Sequence, residues 1–356
     1  MSKITKHGAW AAVGQLRESR GIGSGTPEAL AGKIRRLLSG KRSGISIAEL
    51  CSKLDRGTQQ VEAAILLLGS QGFNANISEE GHVEIRRQLP VGGDFRISGR
   101  LIHGRKIRFG ALGDTHLCSK YERLDVLHAL YDWYAKNGIT RVYHTGNMID
   151  GRGKVNRFDL LPGCDSMEGQ LRYNAKHYPQ RKGIETHYIA GDDHEGWWVQ
   201  DVGVNIGEKM QQAAEDAGRK DLKYLSYMEA DLRFPAPQGE TWVKVVHPGG
   251  GSAYATSYTA QKIVESFQGG EKPAVLLIGH YHKMEYGRPR EVLCLQTGCT
   301  QDQTPFMRKK RLEAHLGGWI VELEQAPNGH VASCTLSDRR FYDRKFYEKK
   351  ERYARW

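Results

Sequence analysis

The sequence has little with which to build a covalent scaffold. Its six cysteines are scattered at 51, 118, 164, 294, 299 and 334, and no CxxC pair occurs. That spacing argues against a zinc knuckle and a disulfide-stapled fold, and a reducing cytoplasm is the simpler setting for such thiols. Long apolar runs are also missing. Stretches such as "AVLLIG" at 274–279 are far too short to span a bilayer, and the opening "MSKITKHGAW" has no apolar segment of a secretion signal. A soluble cytoplasmic protein is therefore expected. Acidic residues are the third shortage: 41 Asp and Glu face 52 Lys and Arg, a net charge of +11. Such a balance favours an acidic partner, nucleic acid first among them.

The 356 residues allow two domains. Residues 1–100 carry fifteen Lys and Arg against nine Asp and Glu, so over half the excess charge lies in under a third of the chain. Within it, "TPEALAGKIRRLLSG" predicts a helix with Thr26 as N-cap, Pro27 at its first position and Gly40 at its end. "SIAELCSKL" has the spacing of a capping box between Ser46 and Glu49. In "RGTQQVEAAILLLGSQG", Thr58 can cap a third helix whose Val61, Ala64, Ile65 and Leu68 form one buried stripe, with Gly69 or Gly72 as its stop. "FNANISEEGHVEIRR" reads as two short strands around a Glu80-Gly81 turn.

Three helices and a hairpin resemble the winged helix-turn-helix family, over residues 1–90. The resemblance implies a recognition helix at 58–69 and a wing at 73–87. Contacts to single- or double-stranded DNA would then fall on Arg56, Gln59, Gln60, Arg86 and Arg87. A protein-docking module is the alternative. Residues 91–104 follow a Pro- and Gly-rich stretch and read as a linker. "GIGSGTP" at 21–27 lacks the Gly-Lys-Ser/Thr of a phosphate loop and reads as a flexible turn.

From residue 105 the chain alternates short apolar runs with polar clusters. "KIRFGALGDTHL" ends in Asp114 and His116, "ITRVYHTGNMID" in Asn147 and Asp150, and "IETHYIAGDDHE" in Asp193, His194 and Glu195. "TWVKVVHPGGG" ends in His247, and "PAVLLIGHYHK" in His280 and His282. Five strands that each deliver polar groups at the C-terminal end predict one shared rim, where layered α/β sheets build their sites. "ERLDVLHALYDWYAKNG" at 122–138 predicts the amphipathic crossover helix between the first two strands.

In that order, GDTH, GNMID, GDDHE, H and GHYH resemble the calcineurin-like metallophosphoesterase family, whose pattern is DxH, GDxxD, GNH(D/E), H and GHxH. The likeness spans about residues 109–300, within a domain expected over 105–336. It implies an α/β fold: a layered sandwich of two mixed β-sheets flanked by helices, here with the small N-terminal winged-helix domain. It also implies two divalent cations that clamp a phosphate and activate the hydroxide that attacks phosphorus. Oxygen and imidazole ligands suit manganese, with iron, zinc or magnesium as alternatives. One metal would take Asp114, His116 and His282, the other Asp193, His247 and His280, with Asn147 at the bridging position. His194 would contact the phosphate and assist the leaving group, oriented by Glu195.

The chain departs from the family at two places. Asn147 stands where the family has its bridging aspartate, and Asp193 where it has asparagine. The charges cancel, so either Asp193 takes the bridge, or Asp150 swings in, or one metal binds weakly, or the site has decayed. Three further features carry two readings each. The glycines of "HPGGGSAYATSY" suit a phosphate or a tight turn, and the tryptophans of "GWW" at 196–198 suit a base or the core. The tail at 337–356 has eight Lys and Arg and six aromatics. It suits a nucleic-acid strand, or an amphipathic helix laid down through Phe341, Phe346 and Tyr353. "FMRKKRLEAH" at 306–315 adds a basic run near the expected mouth of the site.

Together these features favour a metal-dependent phosphodiesterase, a DNA nuclease or nucleic-acid end-processing enzyme. A reader domain before such a catalytic domain also resembles phage or prophage proteins and the nucleases of double-strand-break repair. The alternatives are a phosphodiesterase or pyrophosphatase acting on small nucleotides, and a nonenzymatic DNA-binding regulator.

Overall fold

The structure is a computed structural model that describes residues 26–39, 44–78, 80–85, 89–97, 102–103, 105–251, 255, 257–268, 270 and 272–341. Gly40, Arg86, Arg87, Phe346 and Tyr353, to which the sequence assigns roles, lie outside them. The chain divides into two compact units, one of residues up to Leu89 with Trp198–Ile206, the other of Pro90–Trp197 and Gly207 onward.

The first unit contains α1 (Pro27–Leu38), β1 (Ile45–Ser46), α2 (Ile47–Leu54), α3 (Thr58–Ser70), β2 (Ala75–Ile77) and β3 (His82–Ile85). The Thr26 hydroxyl accepts the Ala29 amide at 3.2 Å, and Pro27 occupies the first turn, where a missing amide leaves nothing unpaired. Ser46 caps α2 by accepting the Glu49 amide at 3.2 Å, while the Glu49 carboxylate pairs with Lys53 at 2.7 Å. The start of α3 differs from expectation. Gly57 is its N-cap, and the Gln60 side chain folds back to accept the Gly57 amide at 3.3 Å. Thr58 is thus the first helical residue and not the cap, and Gln60 is tied to the helix end. Val61, Ala64, Ile65 and Leu68 bury their predicted stripe against Leu30, Ile34 and Leu38 of α1. Strands β1, β3 and β2 form a small antiparallel sheet in that order.

The second unit begins with β4 (Asp94–Arg96), β5 (Ile102–His103), β6 (Lys106–Leu112), α4 (Leu124–Lys136), β7 (Arg141–His144), α5 (Met167–His177) and β8 (Glu185–Ala190). The chain then passes through α6 (Trp197–Val202), most of which belongs to the first unit, and α7 (Ile206–Asp216) before β9 (Leu222–Tyr227), β10 (Glu229–Ala236), β11 (Gly239–Val246), α8 (Tyr258–Ser266) and β12 (Val275–Ile278). It ends with β13 (Met284–Gly287), β14 (Leu293–Thr297), α9 (Pro305–Lys310), β15 (Gly317–Gln325) and β16 (Val331–Arg340). One mixed sheet runs β13-β14-β12-β11-β10-β4, the other β16-β15-β6-β7-β8-β9 with β5 attached to β6. Residues 91–104 are therefore not a bare linker. Phe95 pairs with Leu232 of β10 and Ile102 with Ile107 of β6, so part of the stretch satisfies its amides on open sheet edges. Residues 337–340 likewise belong to β16, and Phe341 after it is buried.

The two sheets bury their facing sides against each other. Phe109 and Ala111 of β6 and Val321 and Leu323 of β15 meet Phe234 of β10, Val245 of β11 and Leu277 of β12, with Phe109 and Phe234 stacked at 6.3 Å. Period-two alternation sends Leu276 and Ile278 to the opposite face, where Ala260 and Val264 of α8 cover them. The strand β12 is apolar throughout because both of its faces are covered.

Arg219 ties the turn after α5 to the start of β9. Its guanidinium donates to the carbonyls of Ala175, Tyr178 and Pro179 at 2.9, 2.7 and 3.2 Å and holds Asp221 through two bonds of 3.0 and 2.6 Å. Removing it strands three carbonyls and leaves the Asp221 carboxylate only the Gln180 amide at 3.2 Å among the described residues. Arg219→Ala is expected to cost about 3 kcal/mol, read from the denaturant midpoint, and a loss below about 1 kcal/mol would contradict this account.

Candidate metal centre

Strands β6, β7 and β8 run parallel in one sheet, β11 and β12 in the other, and the polar clusters leave all five at their C-terminal ends. The turns that follow are sharply bent. Asp114, His116, Asn147, His194, His280 and His282 all adopt left-handed backbone, with φ between 46° and 76°. Side chains other than glycine rarely occupy that region, and clusters of such residues mark functional sites.

The turns also pack too closely for side chains at certain glycines. A Cβ on Gly191 would lie 2.7 Å from Asn147 Oδ1 and 2.7 Å from His247 Cδ2. One on Gly146, whose φ is 97°, would lie 2.6 Å from His247 Nδ1. These glycines let the loops of β7, β8 and β11 close on one another.

Two triads result, each with its donor atoms mutually within 4.8 Å: Asp114 with His116 and His282, and Asp193 with His247 and His280. In the first, His116 Nε2 and His282 Nε2 face each other at 3.1 Å and stand 3.8 and 3.6 Å from Asp114 Oδ1. In the second, the two oxygens of Asp193 reach His247 Nε2 and His280 Nδ1, both at 3.1 Å. Three of the four histidines are oriented from behind, while His282 Nδ1 has no hydrogen-bond partner among the described residues. Asp150 Oδ1 holds His116 Nδ1 at 2.9 Å, the Thr145 carbonyl accepts His247 Nδ1 at 2.7 Å, and the Gly250 carbonyl accepts His280 Nε2 at 2.6 Å. In all three rings the bound nitrogen leaves the other one aimed into the triad, the arrangement metal-ligating histidines use.

The triads fit a divalent cation. Asp114 Oδ1 and Asn147 Oδ1 are buried without a hydrogen bond among the described residues, as oxygens awaiting a cation would be. Burial, then the neighbouring imidazoles of His116 and His194, keeps His282 well below its ordinary pKa, and burial lowers His116 too, so both rings stay neutral. Burial pushes the Asp114 carboxyl up. Asp193, despite desolvation, is held well below the usual carboxylate range by hydrogen bonds from His247 and His280. Its charge outweighs burial at His247 and lifts that ring to about 9. Two imidazoles and a carboxylate per triad suit manganese, iron or zinc better than magnesium.

His194 lies between the triads and a cavity of about 580 Å³, which it lines with Asn147, Asp193, His280 and His282. Its Nδ1 bonds the Asp150 carbonyl at 3.1 Å and approaches Asp150 Oδ1 at 3.2 Å, and Trp197 stacks on the ring at 4.7 Å. Despite desolvation, Asp150 and then Asp193 lift its pKa to about 9. Of the two tryptophans, Trp197 is therefore engaged with the histidine.

The structure relocates two expected roles. Glu195 does not orient His194. It is fully buried, and its carboxylate accepts the amides of Gly191, Asn147, Met148 and Ile149 at 2.7, 2.9, 2.8 and 3.3 Å. Asp150 does not stand between the triads, because His116, His194 and the Asn156 amide at 2.9 Å hold it. Asn156 lies in an irregular stretch and carries no sequence signal. Lys283, which also lines the cavity, directly follows GHYH and could have been noticed there. In the first unit Arg56 donates to the Asp55 carbonyl at 2.6 Å, and Gln59 is exposed.

No family model and no curated protein matches the chain. Among solved structures it is similar to an archaeal phosphodiesterase, at 10% identity over 66% of this chain and 100% of that one, with a TM-score of 0.35. It is also similar to Vps29 from Entamoeba histolytica in complex with zinc, at 13% identity over 66% of this chain and 99% of that one, with a TM-score of 0.29. No described helix is long and apolar enough to cross a membrane.

Glu195→Gln keeps the size but sets an NH2 donor against backbone amides. It is expected to weaken manganese binding by about tenfold in calorimetric titration, and unchanged affinity would show that the clamp does not place the ligands.

Proposed function

We propose that the protein is a metal-dependent phosphodiesterase acting on nucleic acid, a nuclease or an end-processing enzyme. The observation that carries this reading is the pair of His/Asp triads facing one cavity beside a carboxylate-held histidine. Divalent cations bound there supply Lewis acidity at a phosphoryl oxygen and lower the pKa of water. Asp114, His116 and His282 would hold one, and Asp193, His247 and His280 the other, with the Asn147 carbonyl available to both.

The protein's own groups then have defined tasks. His194 donates its Nε2 proton to the departing oxygen, while Asp150 at Nδ1 keeps the ring charged and turned toward the cavity. Trp197 fixes the plane of that ring. Asp150, held by Asn156, aligns His194 and His116 together and so couples the proton donor to the first triad.

A nucleic-acid substrate is favoured by the net charge of +11 and by the N-terminal unit, which we read as a winged helix that brings DNA to the enzyme. Arg56, Gln59 and the start of α3 would meet the duplex, joined by Arg86 and Arg87. Manganese is the proposed metal.

The test uses bis-p-nitrophenyl phosphate and labelled single- and double-stranded DNA, with manganese, with chelator, and with His194→Ala. Chelation is expected to abolish cleavage, and the substitution to lower kcat by roughly 100- to 10,000-fold. DNA left intact while the small diester is cut would shift the substrate to small nucleotides. No cleavage of either would favour a DNA-binding regulator.

A further inference from the structure

The cavity beside the triads is larger than one phosphoryl group requires, and its 580 Å³ lies in the range that takes a nucleotide-sized ligand. Its outer wall is the segment from Thr304 to Glu313, which contains α9 and much of the basic run at 306–315. Two lysines line it. Lys283 follows the ligand His282 and buries most of its stem, while its ammonium, which makes no hydrogen bond or ion pair with any described residue, still reaches solvent. Lys310, at the end of α9, is exposed and equally without a partner among the described residues.

A lysine that lays its methylenes along a cavity wall keeps its charge at the cavity surface, free to meet an anion there. Nearby carboxylates do not neutralise it. Asp159 and Glu313 line the same cavity but pair with neither lysine, and Glu313 reaches His315 at 3.3 Å. Apolar surface lies alongside: Phe306 is 44% exposed on the same wall, and Trp197 lines the cavity from the His194 side. A cation without a counter-charge, an aromatic face and a phosphoryl site in one cavity match the repeat of a nucleic-acid strand.

We propose that Lys283, with Lys310 at the rim, forms a subsite for a second phosphate of the substrate, the one that neighbours the scissile diester along a nucleic-acid strand. The inference rests on the phosphodiesterase reading above and narrows it. The favoured substrate carries at least two phosphates joined through a nucleoside whose base meets Phe306. A diester with a single phosphate leaves Lys283 without a counter-charge.

The test compares turnover of a 5′-phosphorylated thymidine dinucleotide with that of bis-p-nitrophenyl phosphate, in the full chain, Lys283→Met and Lys310→Ala. The ratio of kcat/KM for the dinucleotide to that for the small diester is expected to fall about tenfold in Lys283→Met, as for the loss of one charge-assisted contact. A severalfold fall is expected in Lys310→Ala. An unchanged ratio in both variants overturns the subsite. If circular dichroism shows that Lys283→Met does not fold, Lys310→Ala alone decides.

Absence of turnover on both substrates in the full chain defeats the phosphodiesterase reading instead. The subsite is then decided by fluorescence anisotropy of a labelled oligothymidylate titrated with salt. Loss of one phosphate contact should shrink the slope of log K against log salt by about 0.7, and an unchanged slope overturns the proposal.

Discussion

The carboxylate of Glu195 accepts four backbone amides that come from two loops, Gly191 from the loop after β8 and Asn147, Met148 and Ile149 from the loop after β7. Amides of one loop seldom converge in this way, since each needs its own acceptor. Here one buried anion serves them all and fixes how far Asn147 stands from Asp193. Burial nevertheless raises its pKa to about 7, against the lowering effect of those amides. The ligand loops can therefore be irregular, left-handed and short of side chains, and still be held in one arrangement.

Strain and confinement explain each other in this site. Six residues adopt left-handed backbone because each loop turns immediately after its strand, which keeps the polar groups close to the sheet ends. The turns persist because their amides and carbonyls are satisfied across loops. The Asp114 amide bonds the Gly146 carbonyl at 3.0 Å, and the His116 amide the Asn147 carbonyl at 3.0 Å. Each loop thus supplies the acceptor that its neighbour needs.

Much of this was legible in the sequence, because the signals are local. Strands that end in polar clusters, the crossover helix now seen at Leu124–Lys136 and the caps at Thr26 and Ser46 are statements about a few adjacent residues. The resemblance carried by the order of the clusters, and not the spacing itself, then implied two groups of ligands. What escaped depends on distant partners. Glu195 looked like a companion of the histidine beside it, and only the fold shows that it accepts amides 46 to 48 residues away. The stretch at 91–104 looked like a linker because Gly and Pro discourage regular structure, yet an open sheet edge elsewhere in the chain recruits part of it. Gln60 looked available to DNA because nothing in a pattern shows that it closes its own helix.

The exchange of Asn147 and Asp193 can be argued further from the same geometry. The 3.1 Å contacts of Asp193 with His247 Nε2 and His280 Nδ1 would be replaced by any cation that takes those nitrogens, so they do not hold Asp193 back from the bridging position. For Asp150 to swing in, it would have to abandon His116, His194 and Asn156 at once. Asn147 needs no such movement, since its carbonyl oxygen is already buried, unpaired and beside His247. With Asn147 in that place each triad would keep one carboxylate and a neutral oxygen would stand between them, whereas Asp150 would first have to break three bonds. Two dications would keep the net charge they have with an aspartate bridge, but the negative charge moves outward from the line that joins them. Less negative charge between the cations means weaker shielding of their mutual repulsion and a stronger pull on an anionic phosphodiester placed there. If cations occupy both triads, the same placement of charge that weakens the shielding between them would strengthen their pull on such an anion.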